Sequence, residues 1–411
     1  MATKRKTVSR REFLARGATG MASAGVVGVL GNRVPVLNPD RQIQAARGDI
    51  MYRTLGKTGI RIPIVNMGVM NTSDAALIKR SYEIGVRHFD TAAGYMRGKN
   101  EEVLGQAIKD LGVRDQVVIS TKIYVRGQER DMSPEKAKET YLRVADESLK
   151  RLQMEHVDIL YSHNVDTLEW LNNPGVIEAL KQLKKEGKAR FIGFTTHANM
   201  TTCINDAIRS GHFDVIETAY NYALSDDTEL KSTLKKAAAA GIGLVAMKTQ
   251  CSQYWYKDRL DEALQRFYEG SILHTAVLKW ALKNDYITTA IPGYTTYQQM
   301  DEDFSVAHGL DYTDKEKAFL EDRKVKLSLG YCRQCRQCLP SCPHGVDVPT
   351  LMRTHMYAAC YANFYQARDA MQEIDPSRGI STCISCNTCQ ARCVNRIDIG
   401  RRIDELKAIR V

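Results

Sequence analysis

At 411 residues the chain exceeds an ordinary domain of about 100 to 200 residues and has room for a barrel of about 250 with something smaller beside it. Its 44% hydrophobic and 26% charged residues are the balance of a soluble globular protein, which excludes a disordered chain or a bundle of membrane spans. The net charge of +10 belongs to the two ends, since residues 1–50 hold nine Lys and Arg against three Asp and Glu and residues 326–411 hold twelve against seven; no interleaved aromatic and basic stripe accompanies it, which argues against nucleic acid as a partner.

The first 48 residues read as a leader and linker. Ser9-Arg10-Arg11-Glu12-Phe13-Leu14 is followed by a weakly apolar, Gly- and Ala-rich run from Ala18 to Leu30. That is the layout of a twin-arginine export signal, read by the export machinery rather than inserted as an anchor. The run falls short of the roughly 20 apolar residues of a span, so a removable leader is expected and an extracytoplasmic, periplasmic location with it. Ile43-Gln44-Ala45 only loosely matches a small-x-small cleavage site, and a retained leader would act as an anchor. The bland alternative is a basic tail whose paired arginines mean nothing. Such signals carry proteins already folded, with cofactors inserted.

From residue 51 to 325, apolar runs bounded by turn residues alternate with amphipathic stretches. Strands are expected near Ile64–Val69, Arg87–Thr91, Val117–Ile123, Val157–His163, Ala189–Thr195, Phe213–Ala219, Gly243–Met247 and Thr288–Pro292. Helical patterns lie between them at Ala75–Ile84, Glu101–Leu111, Pro134–Leu152 and Glu229–Ala240. Ser133-Pro134-Glu135 supplies a capping hydroxyl, a first-turn proline and an early acid. Eight strands with helices between them predict an α/β fold, a (β/α)8 TIM barrel.

Barrel enzymes keep their chemistry at the carboxyl ends of the strands. Asp90 closes one strand, with Tyr95 five residues on; Lys122 closes the next but one element and His163 the strand after. A lone histidine near an apolar strand is usually a satisfied core residue, but four such types at successive strand ends are harder to dismiss. The set resembles the aldo/keto reductase family. The resemblance implies that Tyr52–Gly59 with Ile60–Pro63 forms a hairpin closing the barrel floor. It also implies that Tyr95 is a general acid or base toward a carbonyl or alcohol. Lys122 would pull the phenol down from about 10, Asp90 would hold the ammonium, and His163 would orient the substrate oxygen. The nicotinamide implied is NADP(H) or NAD(H). Its positions depart from the pattern: Thr195 and Thr196 replace a Ser-Asn pair, and Glu217 replaces a glutamine and, ionised, could accept but not donate. Met247, beside Lys248, stands where an aromatic usually stacks. Gln299 falls near the usual phosphate-binding arginine and Asp303 near an asparagine, a poor exchange because a neutral amide lacks the guanidinium fork. Gln253-Tyr254-Trp255-Tyr256 is a candidate pocket lining, or else a surface patch covered by the tail.

The tail, residues 326–411, repeats one cysteine pattern. Cys332, Cys335, Cys338 and Cys342 read C-x2-C-x2-C-x3-C, and Cys383, Cys386, Cys389 and Cys393 repeat the spacing. This resembles the bacterial ferredoxin run, in which the fourth cysteine of each copy serves the other cluster. Two [4Fe–4S] clusters are implied, one on Cys332, Cys335, Cys338 and Cys393 and one on Cys383, Cys386, Cys389 and Cys342. Zinc prefers well-separated pairs, and disulfides are disfavoured if the protein folds before export. Helical spacing from Thr350 to Met371 makes the tail a mainly α-helical ferredoxin-like domain. Arg333, Arg336, Arg392 and Arg396 could offset cluster charge or greet an acidic redox partner; Cys203, Cys251 and Cys360 read as small buried residues. The expectation is an exported oxidoreductase acting on a small carbonyl or alcohol, its clusters exchanging electrons with a partner protein. The rival is an electron-transfer or redox-sensing binding protein with a non-catalytic barrel.

Overall fold

Two short strands, β1 (Tyr52–Thr54) and β2 (Arg61–Pro63), pair antiparallel and send Leu55, Ile60 and Ile62 against Val118, Ile159 and Val245 in the barrel interior. Gly56 at their turn has φ +51°, and a Cβ there would lie 2.4 Å from Gly241 O and Gly243 N. Only glycine lets the hairpin seat.

The computed structural model describes residues 49–250, 272–322, 331–383, 386 and 388–409. The export motif, Gln253–Tyr256 and Cys251 lie outside the described residues. Within them, β3 (Met67–Gly68), β4 (His88–Asp90), β5 (Val118–Ile123), β6 (Val157–Ser162), β7 (Ala189–Thr196), β8 (Val215–Ala219), β9 (Gly243–Met247) and β10 (Thr289–Ala290) pair in chain order. Every ladder is parallel. The ring closes where Val65 bridges Ala290 and the Gly68 N–H donates to Pro292 O at 3.0 Å. β5 and β6 are buried along their whole length, as strands covered on both faces must be.

The helices follow from local chemistry. Pro134–Leu152 begins where Ser133 accepts from the Lys136 N–H at 3.3 Å and buries Ala137, Tyr141, Ala145 and Leu152 along one stripe, the spacing of an amphipathic helix.

Several strands are shorter than expected, two of them for a visible reason. The Ile64–Val69 run contributes only Met67–Gly68 because the Asn66 side chain replaces ladder bonds. Its Oδ1 accepts from the Arg87 and His88 N–H groups at 3.0 and 2.9 Å, and its Nδ2 donates to Pro63 O at 2.7 Å. The Thr288–Pro292 run stops at Ala290, since proline has no N–H for a ladder.

In the tail, the expected helical stretch from Thr350 to Met371 is two helices, Val348–His355 and Phe364–Gln372. A π turn at Met356–Cys360 extends the first, and Ala362 at φ +51° breaks the run. Asn363 explains the break. Its side chain caps the second helix by accepting from the Gln366 N–H at 3.1 Å while donating to Met70 O and Asn71 Oδ1, both at 3.1 Å. Docking on the barrel mouth therefore overrides helical continuity. A third helix, Ile399–Ile409, packs Ile403 and Leu406 with Leu351, Met352 and Cys360 in a second core. Gly48–Val411 forms one compact unit, and no helix among the described residues is long and apolar enough to cross a membrane.

The hairpin offers a clean test. At Gly59, also left-handed with φ +73°, nothing lies within 4 Å of an added Cβ. Gly59→Ala is therefore expected to cost about 1 kcal/mol, and Gly56→Ala, which adds a backbone clash, roughly 2–4 kcal/mol. Thermal unfolding followed by circular dichroism should rank them so; equal losses would contradict the packing described.

Candidate functional site

The register aligns Asp90 of β4 with Ser120 of β5, which sets Lys122 just beyond Asp90 on the neighbouring strand. The Lys122 ammonium is fully buried, donates to the Asp90 carboxylate and, at 2.9 Å, to Thr91 O, and lies 3.5 Å from Glu217 Oε2. A buried charge persists only when paired. Burial opposes the ammonium, but Asp90 and then Glu217 outweigh it and raise its pKa. Burial, then the nearby Asp90 charge, pushes Glu217 up to about 8, so one ammonium faces one carboxylate and one neutral carboxyl at pH 7. The expectation of an ionised Glu217 is corrected by this burial: the neutral acid donates as well as accepts. Behind Asp90, Ser120 Oγ donates to Oδ2 at 2.5 Å and meets His88 Nε2 at 2.8 Å. Burial drops His88 to about 4, which leaves a neutral imidazole donating to the serine.

Tyr95 follows Gly94 into a tight turn whose next residues, Met96 and Arg97, adopt φ of 49° and 54°, backbone strain that the surrounding packing must hold. Lys122 Nζ lies 5.2 Å from the Tyr95 ring centroid, and the His163 ring meets that ring edge-on at 5.7 Å. The expected acidic phenol is not what this arrangement produces. Burial raises the Tyr95 pKa by more than Lys122 lowers it, and Asp90, Glu217 and Tyr357 push the same way. The phenol keeps its proton, which suits donation to an oxygen. His163 is held well below its usual range by burial and then by Lys122 and Lys248. It is therefore neutral, and its Nδ1 is buried without a partner.

Two clefts meet at Tyr95. The smaller is lined by Glu217, Met247, Lys248, Gln250 and, from the tail, Tyr361. The larger has Tyr95, His163 and His197 on the barrel side and Arg353, Tyr357 and Glu373 on the tail side. The tail residues and His197 were missed by sequence reasoning: no motif marks them, and only the docking of the tail makes them neighbours of Tyr95.

The nicotinamide positions are only partly assembled. Glu217 and Met247 line the first cleft, and Glu217 Oε2 is buried without a hydrogen-bond partner, which fits a carboxamide. Lys248 lines it too, with Nζ 5.0 Å and 5.8 Å from the Tyr357 and Tyr361 ring centroids. Thr195 and Thr196 line neither cleft. Thr195 Oγ1 accepts from the Asn164 N–H at 2.9 Å and Thr196 Oγ1 donates to Ala198 O at 2.8 Å, so both hydroxyls are engaged by nearby backbone. Gln299 likewise bonds its own turn, Oε1 accepting from the Thr295 N–H at 2.9 Å. Asp303 is buried, which raises its pKa well above the usual carboxylate range, and accepts from Gln250. The ring end of a nicotinamide fits these residues; Thr295–Asp303 contains no Lys or Arg for a ribose phosphate.

The cysteines gather across the two copies. Cys393 lies near Cys332 and Cys338, and Cys335 near Cys338; Cys342 lies with Cys389 and Cys386 near Cys383. Arg402, buried and with Nη1 unpartnered, acts on Cys332. Lys407 Nζ donates to Cys383 O at 2.7 Å. Such cations fit anionic iron–sulfur cubes. Of the arginines singled out in the sequence, Arg392 stays close, Nη1 donating to Cys389 O at 2.6 Å. Arg333 instead bonds Ala223 O at 3.1 Å and pairs with Asp227 on the barrel. Cys203 and Cys360 are buried, as expected.

Comparison with known proteins agrees with this architecture. The aldo/keto reductase family matches residues 62–259, and a 4Fe-4S dicluster domain matches residues 331–398. L-galactose dehydrogenase of Arabidopsis thaliana is 26% identical over 307 residues, covering 68% of this chain and 94% of that protein. L-glyceraldehyde 3-phosphate reductase of Escherichia coli (strain K12) is 24% identical over 339 residues, covering 69% and 94%. Among solved structures, the holo form of an aldo-keto reductase from Bacillus halodurans superposes with a TM-score of 0.55 at 21% identity, covering 68% of this chain and 96% of that one. An aldo/keto reductase from Klebsiella pneumoniae in complex with NADP and acetate gives 0.50 at 22%, covering 66% and 95%. The chain thus joins an aldo/keto reductase domain to a 4Fe-4S dicluster domain. It is an aldo/keto reductase-like oxidoreductase that contains iron–sulfur.

Two measurements probe this geometry. Glu217 holds its proton to about 8 when folded against 4.5 ordinarily, so between those values the folded state binds the extra proton and loses stability as pH rises. The melting temperature of wild type relative to Glu217→Gln should fall by roughly 2–4 °C from pH 5 to 8 and level off above; a flat difference would place the proton elsewhere. Second, Cys342→Ala should disturb the electron paramagnetic resonance signal of the centre built on Cys383, not that of its own sequence neighbours.

Proposed function

We propose that the protein interconverts a carbonyl and an alcohol at Tyr95, and that its tail passes single electrons to or from a partner protein. The observation that carries this reading is the buried Lys122, fixed to Asp90 and set 5.2 Å from the Tyr95 ring, with a neutral His163 edge-on to the same ring. In the reducing direction Tyr95 hands its proton to the substrate oxygen as the carbon gains a hydride. His163 donates a hydrogen bond to that oxygen and fixes its angle. The Lys122 charge stabilises the phenolate left behind, and Asp90 with Ser120 holds the ammonium still. A reduced nicotinamide, when bound against Glu217 and Met247, supplies the hydride, as the NADP in the Klebsiella pneumoniae relative suggests. The lack of Lys or Arg in Thr295–Asp303 favours NAD(H), or NADP(H) held by other contacts.

In the tail, the reading assigns Cys332, Cys335, Cys338 and Cys393 to one [4Fe–4S] cluster and Cys383, Cys386, Cys389 and Cys342 to a second. Arg402 and Lys407 offset their charge. The Ser9–Leu14 motif supports export of the folded, loaded protein by the twin-arginine route to the periplasm. A redox-sensing barrel without turnover is the competing reading, favoured by the tail's hold on Lys248.

Anaerobically purified protein separates the two. Tyr95→Phe should lower carbonyl reduction by about 10²–10⁴-fold with the iron–sulfur absorption unchanged. Equal activity in the two proteins would overturn the assignment of Tyr95.

A further inference from the structure

Most residues lining the larger cleft carry a polar group beside apolar surface, and its charged groups fall into two sets. Arg97 and Arg126 stand exposed at the rim, on either side of Asp369, whose carboxyl feels both. Deeper in, Arg353 is the inner cation, and Glu373 answers it in a direct ion pair. The interior therefore offers no unmatched charge to an ionic ligand.

It does offer unmatched hydrogen-bonding atoms. His197, only 7% exposed, follows directly on β7 and has a buried Nδ1 with no partner. His163 Nδ1 and Arg353 Nε are in the same condition. Buried polar atoms normally find partners, so three orphans around one cleft mark where ligand groups belong. Both imidazoles are held neutral, first by burial and then by neighbouring cations; each has one nitrogen that donates and one that accepts. A hydroxyl group, which also does both, is the natural complement. Arg353 comes from the iron–sulfur tail, and the barrel supplies the histidines.

We propose that this cleft takes an uncharged, hydroxyl-rich carbonyl or alcohol of sugar size, selected by His197 of the barrel together with Arg353 of the tail. The inference deepens the proposed activity at Tyr95 and rests on it. A site built to bond hydroxyls rejects an analogue lacking them far more strongly than an apolar site rejects an added hydroxyl.

Binding without turnover tests it apart from the catalytic assignment. Holoprotein would be titrated calorimetrically with C4–C6 alditols, with 1-hexanol and with gluconate. At least one alditol should bind 10-fold or more tightly than 1-hexanol and than gluconate. Both His197→Phe and Arg353→Lys, the latter keeping the charge opposite Glu373, should weaken that alditol at least 10-fold and leave 1-hexanol within about threefold, with iron–sulfur absorption unchanged. Arg353→Met combined with Glu373→Gln, which strands no charge, should do the same. Alditols that bind no better than 1-hexanol would overturn the proposal, as would tighter gluconate, or variants that hold their clusters and bind alditol like wild type. Alditol binding as expected with Tyr95→Phe fully active would instead leave the cleft's preference standing and remove the role of Tyr95.

Discussion

An ammonium group with no water around it must be answered by negative charge, and the mouth of this barrel is arranged about that requirement. Lys122 is enclosed at the strand ends; Asp90 answers it, and Glu217 comes near enough to share the field. Burial, and then the charge of Asp90, makes Glu217 keep its proton. This acidic setting has consequences in both directions. It steadies Lys122 as a cation, and it works with burial to keep Tyr95 protonated. The resting phenol thus keeps its proton, and under the proposed activity an oxygen gaining negative charge in the cleft would supply the driving force for its release.

A second constraint is the docking of the tail. Asn363 holds the barrel at Met70 and Asn71, Arg333 grips the start of a barrel helix through Asp227, and Tyr357 with Tyr361 lies against Lys248. Cation–π contacts of this kind contribute about 0.5–2 kcal/mol each. They join the two cores through side chains that also line the clefts, so the tail forms part of the walls around Tyr95.

Much of this was legible in the chain, and the reasons differ by element. The barrel showed because parallel strands buried on both faces leave apolar runs, and because Ser133-Pro134 announces its helix chemically. The four strand-end residues showed because a barrel gathers strand ends on one side. What hid was whatever depends on distance through space. Asn66 reads as an ordinary turn residue until its amide is seen to stand in for two ladder bonds. Glu217 reads as an ionised acid because its burial beside Asp90 has no signature in sequence. Thr195, Thr196 and Gln299 matched a pattern by position, yet their side chains satisfy nearby backbone. Arg402, not the arginines flanking the cysteines, proved to be the buried cation near Cys332, because the last helix, Ile399–Ile409, folds back over the first copy.

The segment Met356–Asn363 belongs to two structures at once. Cys360 and Met356 are packed among the residues that surround the thiols, while Tyr357 and Asn363 lean on the catalytic mouth. Under the proposed activity, anything that loosens the metal centre would reach the substrate wall through this short stretch of chain. Oxygen, which attacks exposed cubes, would in such a molecule blur molecular recognition as well as interrupt current, and the range of compounds accepted by an air-handled preparation would describe a damaged chamber.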